Sequence, residues 1–434
     1  MNIDHSATKK AAIPAPHPPV DSVTGLGSPP VSGSRPPSGP VLTVPVSVSG
    51  LIADRVARFV AFASRTHSPY QAATIRIGYG FFFAFYLLQE WPNRRVLFGD
   101  LSPWSFDIAK AFATDTHSFT VLAWSGGRWW FELVYHGAIA AAVLLMLGWR
   151  TRATAVLFLV GVLSVENRSP FVGDAGDNII RIMAIYLAFT RCGQVCSLDA
   201  RRRRLHPREP RHDRAGVVMW LALGLPLLWM SIVNWAGWLG VFWVMWSVQG
   251  LWFAAHRWFP RHAARSLLDS GSAMLHNCAM LVIAVQVCFI YGSAGLYKSQ
   301  GSKWQDGSAV YYAMHVDLFR PWPWLNDLLT ANMLVIFLLS YGTVIMQISF
   351  PFTLMYRRVK NVLLAVMMLE HVGIAVLLGI PFLSLAMIVS DAVFLPTAFL
   401  IWVGNRSTSL AGRMRKRRGT HARTGPADGI VTAR

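Results

Sequence analysis

The chain has 434 residues, of which 54% are hydrophobic and only 14% charged, against about 25% charged in an ordinary soluble protein. Uncharged apolar runs long enough to cross about 30 Å of hydrocarbon recur along it, which excludes a water-soluble globular enzyme and predicts an integral membrane protein. The formal net charge of +19 does not argue for nucleic acid as a partner, because the basic residues lie in short connectors between apolar runs and in the C-terminal tail.

In chain order, residues 1–50 are rich in Pro, Ser, Gly and Val with no apolar periodicity, and are expected to form a disordered cytoplasmic tail. No basic n-region followed by an apolar h-region stands there, so the first span is expected to direct insertion without cleavage. Residues 51–403 read as an all-α polytopic transmembrane helical bundle of about ten spans. They are predicted near 75–91, 131–148, 153–166, 178–191, 215–232, 235–255, 273–297, 329–355, 361–379 and 382–403. The third and fourth are short enough to be tilted or to form a re-entrant pair. Residues 404–434, with Arg413, Arg415, Lys416, Arg417 and Arg418, read as a second disordered, basic, cytoplasmic tail.

Alternate connectors are dense in Lys and Arg, including Arg150, Arg152, Arg257, Arg261, Arg265, Arg357, Arg358 and Lys360, and this bias orients the bundle. It predicts a multi-pass protein of the cell membrane with both termini cytoplasmic. The run Arg201–Arg204 fits a topology signal or a contact with anionic membrane lipids. Cys192 and Cys196, near His206 and His212, lack C-x-x-C spacing, and no metal site is predicted. Tryptophans cluster in the fifth and sixth spans (Trp220, Trp229, Trp235, Trp238, Trp243, Trp246, Trp252), where an interfacial belt is the simplest expectation and stacking on a quinone or other planar lipid the alternative.

Three constellations carry the functional reading. In the segment Tyr291–Gly307, Lys298 ends a long apolar run, and an amine at that boundary marks a functional site unless it snorkels to the headgroups. Tyr291 lies seven residues before it on the same helix face, with Gly292, Ser293, Ala294 and Gly295 allowing close approach and Trp304 and Gly307 following. In the second, Asn167–Arg181, Asp177 opens a helix and Arg181 stands one turn on, which predicts a structural ion pair inside the membrane in preference to a divalent-metal site on Asp174 and Asp177. The third sets Glu370 and His371, Asp391 and Gln347 in three late spans, where they should face the bundle interior and find partners.

The order Tyr291, Ala294-Gly295, Lys298, Trp304, Gly307, His371, Phe394-Leu395-Pro396, with Asn167-Arg168-Ser169-Pro170 and Asp177 upstream, resembles the HTTM (horizontally transferred transmembrane) domain of the vitamin K-dependent gamma-carboxylase superfamily, over about residues 68 to 400. The resemblance implies that Lys298 is the base that deprotonates a reduced lipid quinone, of menaquinone type, which oxygen converts to an epoxide as a strong base forms. It implies His371 as a second catalytic group and Tyr291, Gly295, Trp304 and Gly307 around the cofactor. An amine acts as a base only in its neutral form, and a site poor in water supplies that condition. The chain lacks the large lumenal domain of the animal carboxylases and has Gln347 where Glu is frequent, so the match is to the bacterial type. A second reading is a non-catalytic factor, similar to the sporulation-delaying protein B branch, that assists maturation or export of a secreted peptide. A transporter is a third, although the inverted repeats it would display are not visible.

Overall fold

Apolar runs of helical length dictate the architecture, because a backbone in hydrocarbon must satisfy its own hydrogen bonds. The structure, a computed structural model, describes residues 48–205, 214–233, 237–258, 263–406 and 409. Two compact units divide at Asp54. Of the first, Met1–Asp54, only residues 48–54 are described, and they begin helix α1 (Val48–Ala63). The disordered tails expected over 1–50 and 404–434 otherwise fall outside the described residues, as do His206, His212 and Trp235.

The described residues of the second unit form helices joined by turns and loops, with no strand among them. It opens with α2 (Pro69–Gln89), followed by a connector holding α3 (Arg94–Leu97) and α4 (Phe106–Asp115), and continues through α5 (Arg128–Leu147), α6 (Thr151–Glu166) and α7 (Ala175–Ala188). After α8 (Leu198–Leu205) come α9 (Arg214–Val233) and α10 (Gly237–Trp258), then the long α11 (Ala263–Gln300). A second connector carries α12 (Ser302–Gln305), α13 (Ala309–Met314) and α14 (Pro323–Thr330). The chain then runs through α15 (Met333–Thr353), α16 (Arg357–Leu377) and α17 (Pro381–Asp391).

Nine of the ten expected spans each overlap one of these helices, but length and apolarity suffice to cross a membrane in four among the described residues: α5, most of α11, α15 and α16. The pair Pro381–Phe394 and Thr397–Arg406, bent by 117°, makes a fifth if it is one broken span. The tenth expected span is therefore not one straight helix. Pro396 has no backbone donor to continue the helix, and two carbonyls left unpaired at the break are taken by side chains from elsewhere: Lys360 donates to Phe394 O and Gln71 to Leu395 O.

Helices α2, α5, α6 and α7 pack in sequence, α11 packs on α15 and α15 on α16, and α17 touches α2, α7 and α16. Their core holds Tyr79, Phe82, Phe83, Tyr135, Phe158, Met183, Ile283, Val287 and Met367. The opposite faces remain apolar and bare. On α16, Val359, Val362, Val366, Leu369, Val372 and Val376 form an exposed stripe, which would be a liability in water and is ordinary in lipid.

In helices α9 and α10 three of the clustered tryptophans also make contacts between helices. Trp220 and Trp246 stack with ring centroids 3.9 Å apart, and each indole donates to the other's carbonyl at 3.0 and 2.9 Å. Trp243 donates to Ser231 Oγ at 2.8 Å. These rings join two helices, because an indole N–H within an apolar hairpin must find its acceptor on the neighbouring helix.

A feature not singled out from the sequence locks one end of the bundle. Arg76, fully buried on α2, donates to Leu145 O (2.5 Å), Met146 O (2.7 Å), Cys192 O (3.2 Å) and Cys196 O (2.6 Å). It thereby closes the C-terminus of α5, where Gly148 at φ 73° turns the chain and a Cβ would meet Ser197 Cβ at 2.4 Å. Asp199 caps the start of α6 alongside, accepting from Arg150 N and Thr151 N. We expect Arg76→Met to destabilise the protein by on the order of 3 kcal/mol, because it strands several carbonyls at once. Arg76→Lys should recover only part, since an ammonium cannot reproduce the planar fork; thermal unfolding in detergent measures both.

Candidate functional site

Helix α11 presents its Tyr291–Lys298 face to α15 and α16. The close approach is set by Gly295, where a Cβ would lie 2.7 Å from Ile348 Cγ1 and 3.0 Å from Ile348 N. The space that the sequence reading reserved for a cofactor at Gly295 is therefore filled by α15. Gly307 likewise turns the chain at φ 78° with Phe337 and Tyr341 packed on it, while Gly292 faces open room, with only Pro351 Cγ within 4.0 Å.

Lys298, half-buried, does not run free to the headgroups. Its Nζ donates to Gln347 Oε1 at 2.8 Å, and Gln347 Nε2 donates to Glu370 Oε1 at 3.3 Å. The amide thus joins the amine of α11 to a carboxylate of α16. The Trp304 ring centroid lies 5.4 Å from Nζ, within reach of a cation–π contact. Lys303 differs: it is exposed, pairs loosely with Asp306 at 3.7 Å and lies over Tyr312.

Deeper in the bundle, the Tyr291 hydroxyl donates to Asp391 Oδ2 at 2.8 Å and lies 3.1 Å from His371 Nε2. All three are buried, and Asp391 is wholly so. Tyr291 is thus an interior link between α11, α16 and α17, with Phe350 against its ring edge, rather than the open floor for a planar ligand that its place in the sequence suggests. Beside it, the Tyr79 hydroxyl meets Ser390 Oγ at 2.5 Å. The four polar residues expected to face inward do so and are joined across helices.

The second constellation folds differently from expectation. No ion pair forms between Asp177 and Arg181. Asp177 accepts from Asp174 N at 2.6 Å while Asp174 accepts from Gly176 N, a reciprocal capping box at the start of α7. Arg181 instead donates to Asn167 Oδ1 at 3.1 Å and to Asn178 Oδ1 at 2.5 Å. An exposed backbone N–H at the helix start draws the carboxylate back before the guanidinium one turn on can reach it. The neighbouring Asn167, Arg168 and Ser169 donate to Phe119 O, to Trp104 O and Gly99 O, and to Leu97 O, so this segment clasps the connector between α2 and α5. Among the described residues no cluster of His, Cys, Asp or Glu has the makings of a metal site.

Gln347 and Asp391 complete the site, and neither was assigned a role from the sequence beyond facing inward. The available signal was a polar side chain at the centre of an apolar helix, which identifies an interior position without naming its partner. Gln347→Leu should cost about 2 kcal/mol, because it leaves both the Lys298 amine and the Glu370 carboxylate without a partner. Gln347→Glu should recover only part of this by pairing with Lys298, because it withdraws the donor from Glu370 and sets a second carboxylate beside it. Melting temperatures of the purified variants in detergent test the contrast, and equal losses would refute the bridging role.

No protein-family model, curated protein or solved structure matches the chain, so its function has to be read from the chemistry of this site.

Proposed function

We propose that the protein is a multi-pass membrane enzyme related in chemistry to the gamma-carboxylases, using a reduced lipid quinone with Lys298 as base on the extracytoplasmic side. The ten helices cross or enter the bilayer with both termini cytoplasmic. The observation that carries the reading is the placement of Lys298: a half-buried amine at the end of an apolar helix, held by Gln347 at 2.8 Å, with an indole ring beside it and open room at Gly292. An amine fixed in this way has a defined direction of attack and little competing water, which are the requirements of a positioned base.

The residues around Lys298 fit a planar, apolar-tailed cofactor. Trp304 supplies a flat face beside the amine, and the exposed apolar surfaces of α11 and α15 supply a path for an isoprenoid tail within the lipid. A reduced quinone, when bound, supplies the electrons for oxygen chemistry. Lys298 accepts its hydroxyl proton, Gln347 fixes the amine, and Glu370 provides the countercharge once the ammonium has formed.

Lys298→Gln keeps a donor for Gln347 while removing the base, so it should accumulate normally and lose quinone-dependent oxygen consumption by about 100-fold or more. Lys303→Ala should be unaffected. Retained activity in Lys298→Gln, or no quinone chemistry and no quinone among the lipids retained by the wild-type protein, would return Lys298 to an anchoring role. The orientation has its own test. A cysteine at Leu318, which is 82% exposed, should react with an impermeant thiol reagent in intact cells, and one at the exposed Arg203 should not; the reverse pattern would invert the bundle.

A further inference from the structure

Three buried groups on three helices meet end to end at the heart of the bundle, Asp391 on α17, Tyr291 on α11 and His371 on α16. The contacts of 2.8 and 3.1 Å are both of hydrogen-bond length, and each end of the chain stops at a bare atom: Asp391 Oδ1 and His371 Nδ1 are buried with no hydrogen-bond partner. Each terminal atom keeps capacity for a further hydrogen bond, and the phenol between them can accept on one side while it donates on the other.

We propose that Asp391, Tyr291 and His371 form a proton wire. In one arrangement the carboxylic acid of Asp391 donates to the Tyr291 oxygen, and the phenolic proton is given to Nε2 of a neutral His371 whose Nδ1 carries the hydrogen. In the other, the carboxyl proton has moved to the Tyr291 oxygen and the phenolic proton to Nε2, leaving a carboxylate, an intact phenol and an imidazolium. One proton is displaced across the bundle, one O–H bond breaks at Asp391 and one N–H bond forms at His371. No electrons are exchanged with any other group. Tyr291 is the indispensable link, because a phenol can accept and donate at the same oxygen.

The position suits such a role. Asp391 is the last residue of α17, immediately before the turn Ala392–Phe394 and the bend at Pro396, and His371 follows Glu370, which Gln347 connects to Lys298. The charged and titratable groups around the wire are Tyr79 on α2, Cys288 and Lys298 on α11 and Glu370 on α16. Helix α15 contributes the neutral Gln347, and α7, packed along α17, carries Asp177, Arg181 and Tyr186. That the wire removes or restores the proton held by Lys298 rests on reading Lys298 as a base; the wire itself does not.

The test uses the full chain in lipid nanodiscs and needs no turnover. The histidine nitrogens are labelled with ¹⁵N and the aspartate carboxyls with ¹³C. His371 and Asp391 are assigned by loss of their signals in His371→Gln and Asp391→Asn, and both are followed through a pH titration. The wild type should show the imidazole and carboxyl signals changing together in one transition. Tyr291→Phe, which keeps the ring and its contact with Phe350, should separate them by about one pH unit or more. Asp391→Asn should shift the His371 transition by a similar amount, so the outcome stands even if the phenylalanine variant does not fold. Independent transitions in the wild type, or coincidence that survives Tyr291→Phe, would overturn the wire. Neither result bears on oxygen consumption by Lys298→Gln, so the two readings fail separately.

Discussion

Hydrocarbon offers no hydrogen bonds, so a polar side chain on an apolar helix must be answered by another helix. The arrangement of this bundle follows from that constraint most visibly at α17. Asp391, Ser390 and Ser384 are all buried on it, and their partners come from other helices or from α17 itself: Tyr291 from α11, Tyr79 from α2, and the carbonyls of Ala386 and Ile380. Helix α17 therefore packs against α2 and α7 on one side and α16 on the other, and it joins the helices that precede α8 to those that follow α10. Moving it by one turn would strand a carboxylate in the interior.

The same constraint explains the two kinds of buried cation. Arg76 pairs with no carboxylate and binds four carbonyls, two at the C-terminal end of α5 and two in the segment between α7 and α8, which suits a planar group with five fixed donors. Lys298 makes one side-chain hydrogen bond and remains half-exposed. The arginine engages four of its five donors and is structural, whereas the lysine keeps two donor positions and a partly exposed side. This difference in saturation separates the position proposed for chemistry from the one that holds the fold.

Helix α11 serves both ends of the molecule. Over the 36 residues from Arg265 to Gln300 the helix is about 54 Å long, well beyond a hydrocarbon layer of about 30 Å. Its early part is fixed by His276, which accepts from Arg191 N and donates to His67 O, and by Asn277, which binds Ala63 O and Arg65 O. Its end carries Tyr291 and Lys298. Anchoring at one end leaves the other to be positioned by packing on α15, and the glycine at 295 sets that distance.

Composition and periodicity by themselves determined the class of molecule, an all-helical chain with apolar runs of spanning length, and the location of its helices, because both depend on local spacing that any window of the sequence contains. They also marked Lys298, His371, Gln347, Glu370 and Asp391 as groups too polar to face lipid. Which groups meet was decided only in three dimensions. Asp177 and Arg181 share a helix face and yet bind elsewhere, because an N-terminal backbone donor competes for the carboxylate. Gly295 and Gly307 look like room for a ligand and are filled by Ile348, Phe337 and Tyr341, and no local pattern shows that Trp220, Trp243 and Trp246 hold α9 to α10. Helical periodicity gives the direction in which a side chain points; the identity of what it meets depends on contacts between residues as far apart as Tyr291 and Asp391, which no local pattern encodes.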